Sequence, residues 1–212
     1  MKRFFVNYSY DMLKMLLTQV AIALFGFSLV MVAKKMDSDV LMYVASAFSI
    51  LFYLFLLYVH TWDIGYRDKA SVDVGRQKDL PIKGALIALC ANSVNFILAI
   101  GAAMVYLPGI DAVAFFGNPN VSLFDVFALF RTVALLIEGM YTGLLSIPIG
   151  NDMLVSSLGF VYFLIPIPAI LVCGLAYYFG LKDVKYTSFF NRQSYPASDR
   201  APKKKQEKDH HD

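Results

Sequence analysis

The sequence predicts an all-α fold: a polytopic transmembrane helical bundle with four full crossings and a fifth helical segment that is re-entrant or interfacial. Three observations carry this. First, 58% of the 212 residues are hydrophobic and only 17% are charged, against about 25% charged in an average soluble domain. A soluble interior of this size cannot hide that much apolar surface, so the excess faces lipid or a large partner. Second, the apolar residues gather into five runs of roughly spanning length, and about 20 apolar residues in a helix match a hydrocarbon core of about 30 Å. Third, Lys and Arg collect on particular connections, as they do in short cytoplasmic segments. A soluble enzyme, a disordered chain and a nucleic-acid-binding module lose their footing on the first observation. The net charge of +3 is also too small and dispersed for a nucleic-acid partner.

The first helix is expected at about 12–33. Lys2, Arg3 and Lys14 lead into an apolar run from Met15 to Ala33. That run is longer than a signal-peptide core and no small-residue cleavage site follows it, which predicts a retained span. A polar turn, KKMDSD at 34–39, leads to the second helix at about 40–60, which ends at His60. The stretch 61–83 reads as a charged loop, because Asp63, Arg67, Asp68, Asp73, Arg76 and Asp79 alternate with Gly65 and Gly75. The third helix is expected at 84–107. Residues 108–122 hold no Lys or Arg and are rich in turn formers. The fourth run, 123–147, is interrupted by Asp125, Arg131 and Glu138. The turn PIGND at 148–152 precedes the fifth run, 153–181, which contains Pro166 and Pro168. These runs make 1–188 a membrane-embedded helical domain. Residues 189–212 are polar and almost free of large aliphatics, which predicts a disordered basic cytoplasmic tail.

Charge sets the orientation. Lys and Arg number three in 1–14, two in 34–39, five in 61–83 and eight from 181 onward. Five full crossings would put ten on the outside and eight on the inside. If 123–147 does not cross, sixteen are inside and two outside, besides Arg131. The second arrangement obeys the positive-inside bias and puts both termini in the cytoplasm; a plain fifth crossing with a translocated tail is the competing arrangement. An Arg or Asp at a helix centre also costs about 2.5–3.5 kcal/mol on insertion scales, and Gly139 and Gly143 offer break points for a hairpin.

Ionisable residues at membrane depth are functional candidates by default. Arg131 and Glu138 lie seven apart, two helical turns on one face. Arg131 suits an anionic ligand or lipid headgroup, and Glu138 a cation or a proton. Asn92 and Asn95 share a helix face with Ala88 and Ala99, suited to close packing or to lining a polar cavity; Gln19 is a third contributor. Pro166 and Pro168 each remove a backbone donor and predict a helix break. Asp63, Arg67, Asp68, Asp73 and Arg76 form a candidate cytoplasmic docking loop.

No HExxH, CxxC or phosphate-loop spacing is present, and Cys90 and Cys173 lie inside apolar runs. No metal, cofactor or enzymatic activity is expected. The expected partners are the lipid bilayer and a membrane protein or a second copy of the chain. The function expected is that of a non-enzymatic subunit or accessory component of a membrane complex, in a bacterial plasma membrane. The alternative is a solute transporter or substrate-binding component with a polar site near Arg131 and Glu138.

Overall fold

The computed structural model describes residues 2–78, 80–104, 129–130, 132–134, 136–149, 153–158 and 160–184. Of these, 83% are helical. Three helical stretches are long and apolar enough to cross a membrane: Phe4–Lys35, Asp39–Asp73 and Val161–Leu181. A bent pair, Lys83–Ala91 with Ser93–Gly101, makes a fourth if it counts as one span. Arg131, Asp125 and the tail 189–212 lie outside the described residues.

Helix α1 (Lys2–Lys35) and helix α2 (Asp39–Asp73) form an antiparallel hairpin. Lys34 and Lys35 in the last turn of α1 complement the negative end of its dipole. The chain then turns through Asp37 in the left-handed region, φ 51°. Asp37 N–H bonds to the Lys34 carbonyl and Ser38 N–H to the Ala33 carbonyl, which closes a Schellman motif. Ser38 caps α2 by accepting from Leu41 N–H. Glycine closes α2 in the same way: Gly75, φ 69°, is followed by Arg76 N–H bonding to the Ser71 carbonyl.

The loop expected at 61–83 begins only after Asp73, because α2 runs on to that residue. Thr61, Ile64, Gly65 and Asp68 are buried, and their three-to-four spacing makes one helix face. Thirty-five residues at 1.5 Å each give about 52 Å, well beyond a hydrocarbon core, so the end of α2 projects from it. Gly65 is a contact point rather than a breaker. It meets α5 (Pro166–Leu181), where a methyl group on Gly65 would overlap the Tyr177 carbonyl. Gly180 of α5 meets the Trp62 carbonyl of α2 in the same manner. Small residues on both sides let the two backbones touch.

The third run breaks into α3 (Lys83–Ala91) and α4 (Ser93–Met104), bent by 52°. Asn92 sits at the break. Its amide Nδ2 donates to the Ala88 carbonyl at 2.8 Å, alongside its own backbone N–H at 2.9 Å. A polar side chain inserted on the carbonyl ladder is a recognised cause of a kink. The break expected in the fifth run falls at Ile165, directly before Pro166, between the single turn Val161–Leu164 and α5. Pro166 starts α5, in the first turn, where its missing N–H has no partner to lose, and the preceding turn Val161–Leu164 continues one 21-residue apolar stretch.

In the fourth run, described residues from 129 to 137 are helical, Glu138 leaves helical geometry, and Gly139–Tyr141 forms a 3-10 turn before the single turn Thr142–Leu145. This stretch wedges against the α1–α2 hairpin. Phe130 packs on Gly101 of α4, Gly139 on the Ala23 carbonyl, Met140 on Gly26, and Gly143 on the Met42 carbonyl. A two-stranded antiparallel ribbon, Pro148–Ile149 with Met153–Leu154, follows in the register Pro148 to Leu154.

Candidate functional site

The charged end of the bundle is built around Asp68. The amphipathic end of α2 turns this carboxylate inward, and its Oδ2 accepts three hydrogen bonds. Tyr8 of α1 donates at 2.7 Å, Lys83 at the start of α3 at 2.7 Å, and Tyr177 of α5 at 2.8 Å. Lys83 also donates to Gln77 Oε1 at 2.7 Å. Its ammonium lies 4.8 Å from the centroid of the Tyr8 ring and 5.9 Å from that of Tyr177, a cation–π arrangement. The Asp68 and Lys83 side chains are 11% and 10% exposed. A buried carboxylate is tolerated only when paired and hydrogen-bonded, and here α1, α2, α3 and α5 each supply one member of the set.

A second, more open group lies beside it. Arg67 donates to Asp11 Oδ1 at 3.0 Å and approaches Asp63 Oδ2 at 3.4 Å. His60 Nε2 stands 3.6 Å from Asp11 Oδ1. Lys69 meets Asp183 at 3.3 Å, and Trp62 Nε1 donates to the Val184 carbonyl at 2.9 Å. Asp63, Arg67, Asp73, Arg76 and Lys78 are exposed.

The interior holds the other polar groups. Gln19 Nε2 donates to the Ile137 carbonyl at 3.3 Å, and Ser46 Oγ donates to the Met140 carbonyl. Thr142 Oγ1 donates to the Gly139 carbonyl at 2.7 Å. These bonds fasten both flanks of Glu138. Glu138 itself is 1% exposed, and its Oε2 has no hydrogen-bond partner. Asn95 Nδ2 donates to Asn92 Oδ1 at 2.9 Å, and Asn95 Oδ1 is likewise unpartnered. Among the described residues no hydrogen bond joins the asparagine pair to Glu138 or Gln19.

The site residues expected from sequence therefore divide into separate places. Gln19 and Glu138 come together around the break in the fourth run. Asn92 and Asn95 serve the bend between α3 and α4. Pro166 and Pro168 lie in the first turn of α5. Asp63, Arg67, Asp73 and Arg76 are at the charged surface, whereas Asp68 is buried behind them. Among the described residues no group of His, Cys, Asp or Glu is placed to hold a metal ion.

Tyr8, Lys83 and Tyr177 are the site residues that sequence reasoning missed. Lys83 carries a legible signal, since a lysine directly before an apolar run borders the membrane and a nearby carboxylate is its natural partner. Tyr177 looks like an interfacial anchor, but it is 1% exposed and bonded inward, while Tyr178 beside it is 42% exposed.

Comparison of the chain with protein-family models, with curated proteins and with solved structures finds no match.

Proposed function

We propose that this chain is a small non-enzymatic subunit of a membrane complex, which docks its partner on the charged end of the bundle. The observation that carries this is the Asp68 centre. Burying three donors, one of them the Lys83 ammonium, on one carboxylate fixes the ends of four helices relative to one another. The exposed charges next to it, Asp63, Arg67, Asp73 and Arg76, consequently stand on a rigid base. Rigid presentation lowers the ordering cost of association.

The same centre supports the proposed topology. Tyr8 lies near the start of α1 and Tyr177 near the end of α5, so their meeting on Asp68 brings both ends of the embedded domain to one side. The contacts of the fourth run agree with a re-entrant path. It leaves Gly101, reaches Gln19 at Ile137, and returns through Ala23 and Gly26 to Met42, near the far end of the hairpin. Four crossings with both termini cytoplasmic, in a bacterial plasma membrane, is the arrangement we infer.

The test is purification from the native membrane in mild detergent after chemical cross-linking. A stoichiometric partner supports the subunit reading. A monomer that cross-links to nothing refutes it.

One observation favours a second reading, a solute-handling component. Glu138 places a carboxylate oxygen without a partner at the turning point of the re-entrant stretch, and irregular backbone at membrane depth is tolerated where it is covered by protein or lines a polar cavity. In that case Arg131→Ala and Glu138→Gln each abolish uptake or ligand-induced stabilisation while leaving folded protein. Unchanged uptake in both variants rules it out.

A further inference from the structure

We propose that the groove between α1 and α2 at the charged end binds one glycerophospholipid whose headgroup carries both a phosphate and a primary amine. The groove encloses about 670 Å³, within the range of small-molecule sites. Its lining changes character along its length. Met15, Phe55, Leu56 and Val59 make the apolar part, and Lys14, His60 and Asp63 make the polar part.

The level of the polar part matches a headgroup. Lys14 immediately precedes the apolar run of α1, and His60 ends the apolar run of α2. Trp62, also on the lining, is the chain's one tryptophan, a residue type enriched at the membrane–water interface. Phe55 and Val59 are 54% and 41% exposed, which leaves an apolar path for acyl chains out of the open side of the groove.

The charges select the headgroup. Lys14 is exposed, and among the described residues its ammonium has no ion pair or hydrogen bond, so it is free to meet a phosphate. Asp11 is enclosed and held by Arg67 at 3.0 Å. Asp63 shares that same arginine at 3.4 Å and is 59% exposed, so its carboxylate keeps free acceptor positions. One cation and one incompletely satisfied carboxylate on one rim complement a zwitterion with a hydrogen-bonding ammonium. A purely anionic headgroup would meet Asp63 as a repulsive neighbour. A quaternary ammonium could offer Asp63 charge but no N–H.

The experiment uses the full-length protein in nanodiscs of equimolar phosphatidylethanolamine, phosphatidylcholine and phosphatidylglycerol, with retained lipid identified by native mass spectrometry. Retention of phosphatidylethanolamine over the other two is expected. Lys14→Gln lowers all retention, and Asp63→Asn erases the headgroup preference, each by about two- to five-fold, the worth of an exposed charged contact. Lys35→Gln, exposed at the opposite end of α1, changes nothing. Preference for phosphatidylglycerol, equal retention of all three, no retained lipid, or selectivity that survives Asp63→Asn would each overturn the proposal.

Discussion

Replacing Lys83 with Met is the sharpest perturbation of the Asp68 centre. The methionine keeps most of the apolar stem, so packing against Tyr8 and Tyr177 changes little. What is lost is the cation, 2.7 Å from Asp68 Oδ2. The carboxylate is left in a buried site with only two neutral hydroxyls. Removing one partner of a buried ion pair costs about 3–5 kcal/mol, whereas each tyrosine hydroxyl bonded to the charged group contributes about 1.5–3 kcal/mol. Lys83→Met should therefore cost more than Tyr8→Phe or Tyr177→Phe. Asp68→Asn combined with Lys83→Met removes both charges, so the double variant should lose less than the two single losses together, with a coupling of about 2 kcal/mol. Equilibrium unfolding in mixed micelles with increasing dodecyl sulfate measures this. The chain has a single tryptophan, and Trp62 bonds to Val184 at the same end, so its fluorescence reports locally. A loss below about 1 kcal/mol for Lys83→Met, or strict additivity with Asp68→Asn, would refute the account of this centre.

Other expectations follow from the packing. Gly65→Leu and Gly180→Leu should each destabilise by about 1–3 kcal/mol or more through overpacking of α2 on α5, and wild-type unfolding midpoints would contradict that contact. Asn92→Leu removes the bond to Ala88 and strands Asn95 Nδ2. Spin labels at Leu86 and Ile97, both exposed, should then move apart as the 52° bend opens, and an unchanged distance would show that the side chain does not hold the bend. In a cysteine-free background, an impermeant thiol reagent on sealed vesicles should reach Asp73→Cys and Asp183→Cys from one side and Met36→Cys only from the other. Labelling of all three from one side would sink the topology.

The membrane class and the long helices were legible because spanning length and apolar composition are local properties of the chain. The hairpin turn was legible at Lys34 to Asp39, where charge and turn formers interrupt two apolar runs. The extension of α2 through 61–73 was not. Asp63, Arg67 and Asp68 look like loop residues until the helix face Thr61, Ile64, Gly65 and Asp68 is seen to have a partner. Gly65 illustrates the ambiguity: it can end a helix or allow another backbone to approach, and only the position of Tyr177 decides. The prolines mark an interruption intrinsic to the chain, at Ile165 before Pro166, whereas the 52° bend lies in the third run. Asn92 bends its helix through one rotamer of its side chain, which composition does not encode. Lys83 is only 15 positions from Asp68, but Tyr8 and Tyr177 lie 60 and 109 positions away, separations at which sequence pattern carries no pairing information.

The subunit reading turns on whether the charged end meets another protein. Site-specific photo-cross-linkers at Asp73 and Arg76, with a control at Leu51 on the exposed apolar face of α2, test it in intact membranes. One discrete cross-linked protein is expected from Asp73 and Arg76 and none from Leu51. Cross-links to lipid alone at all three positions would contradict it.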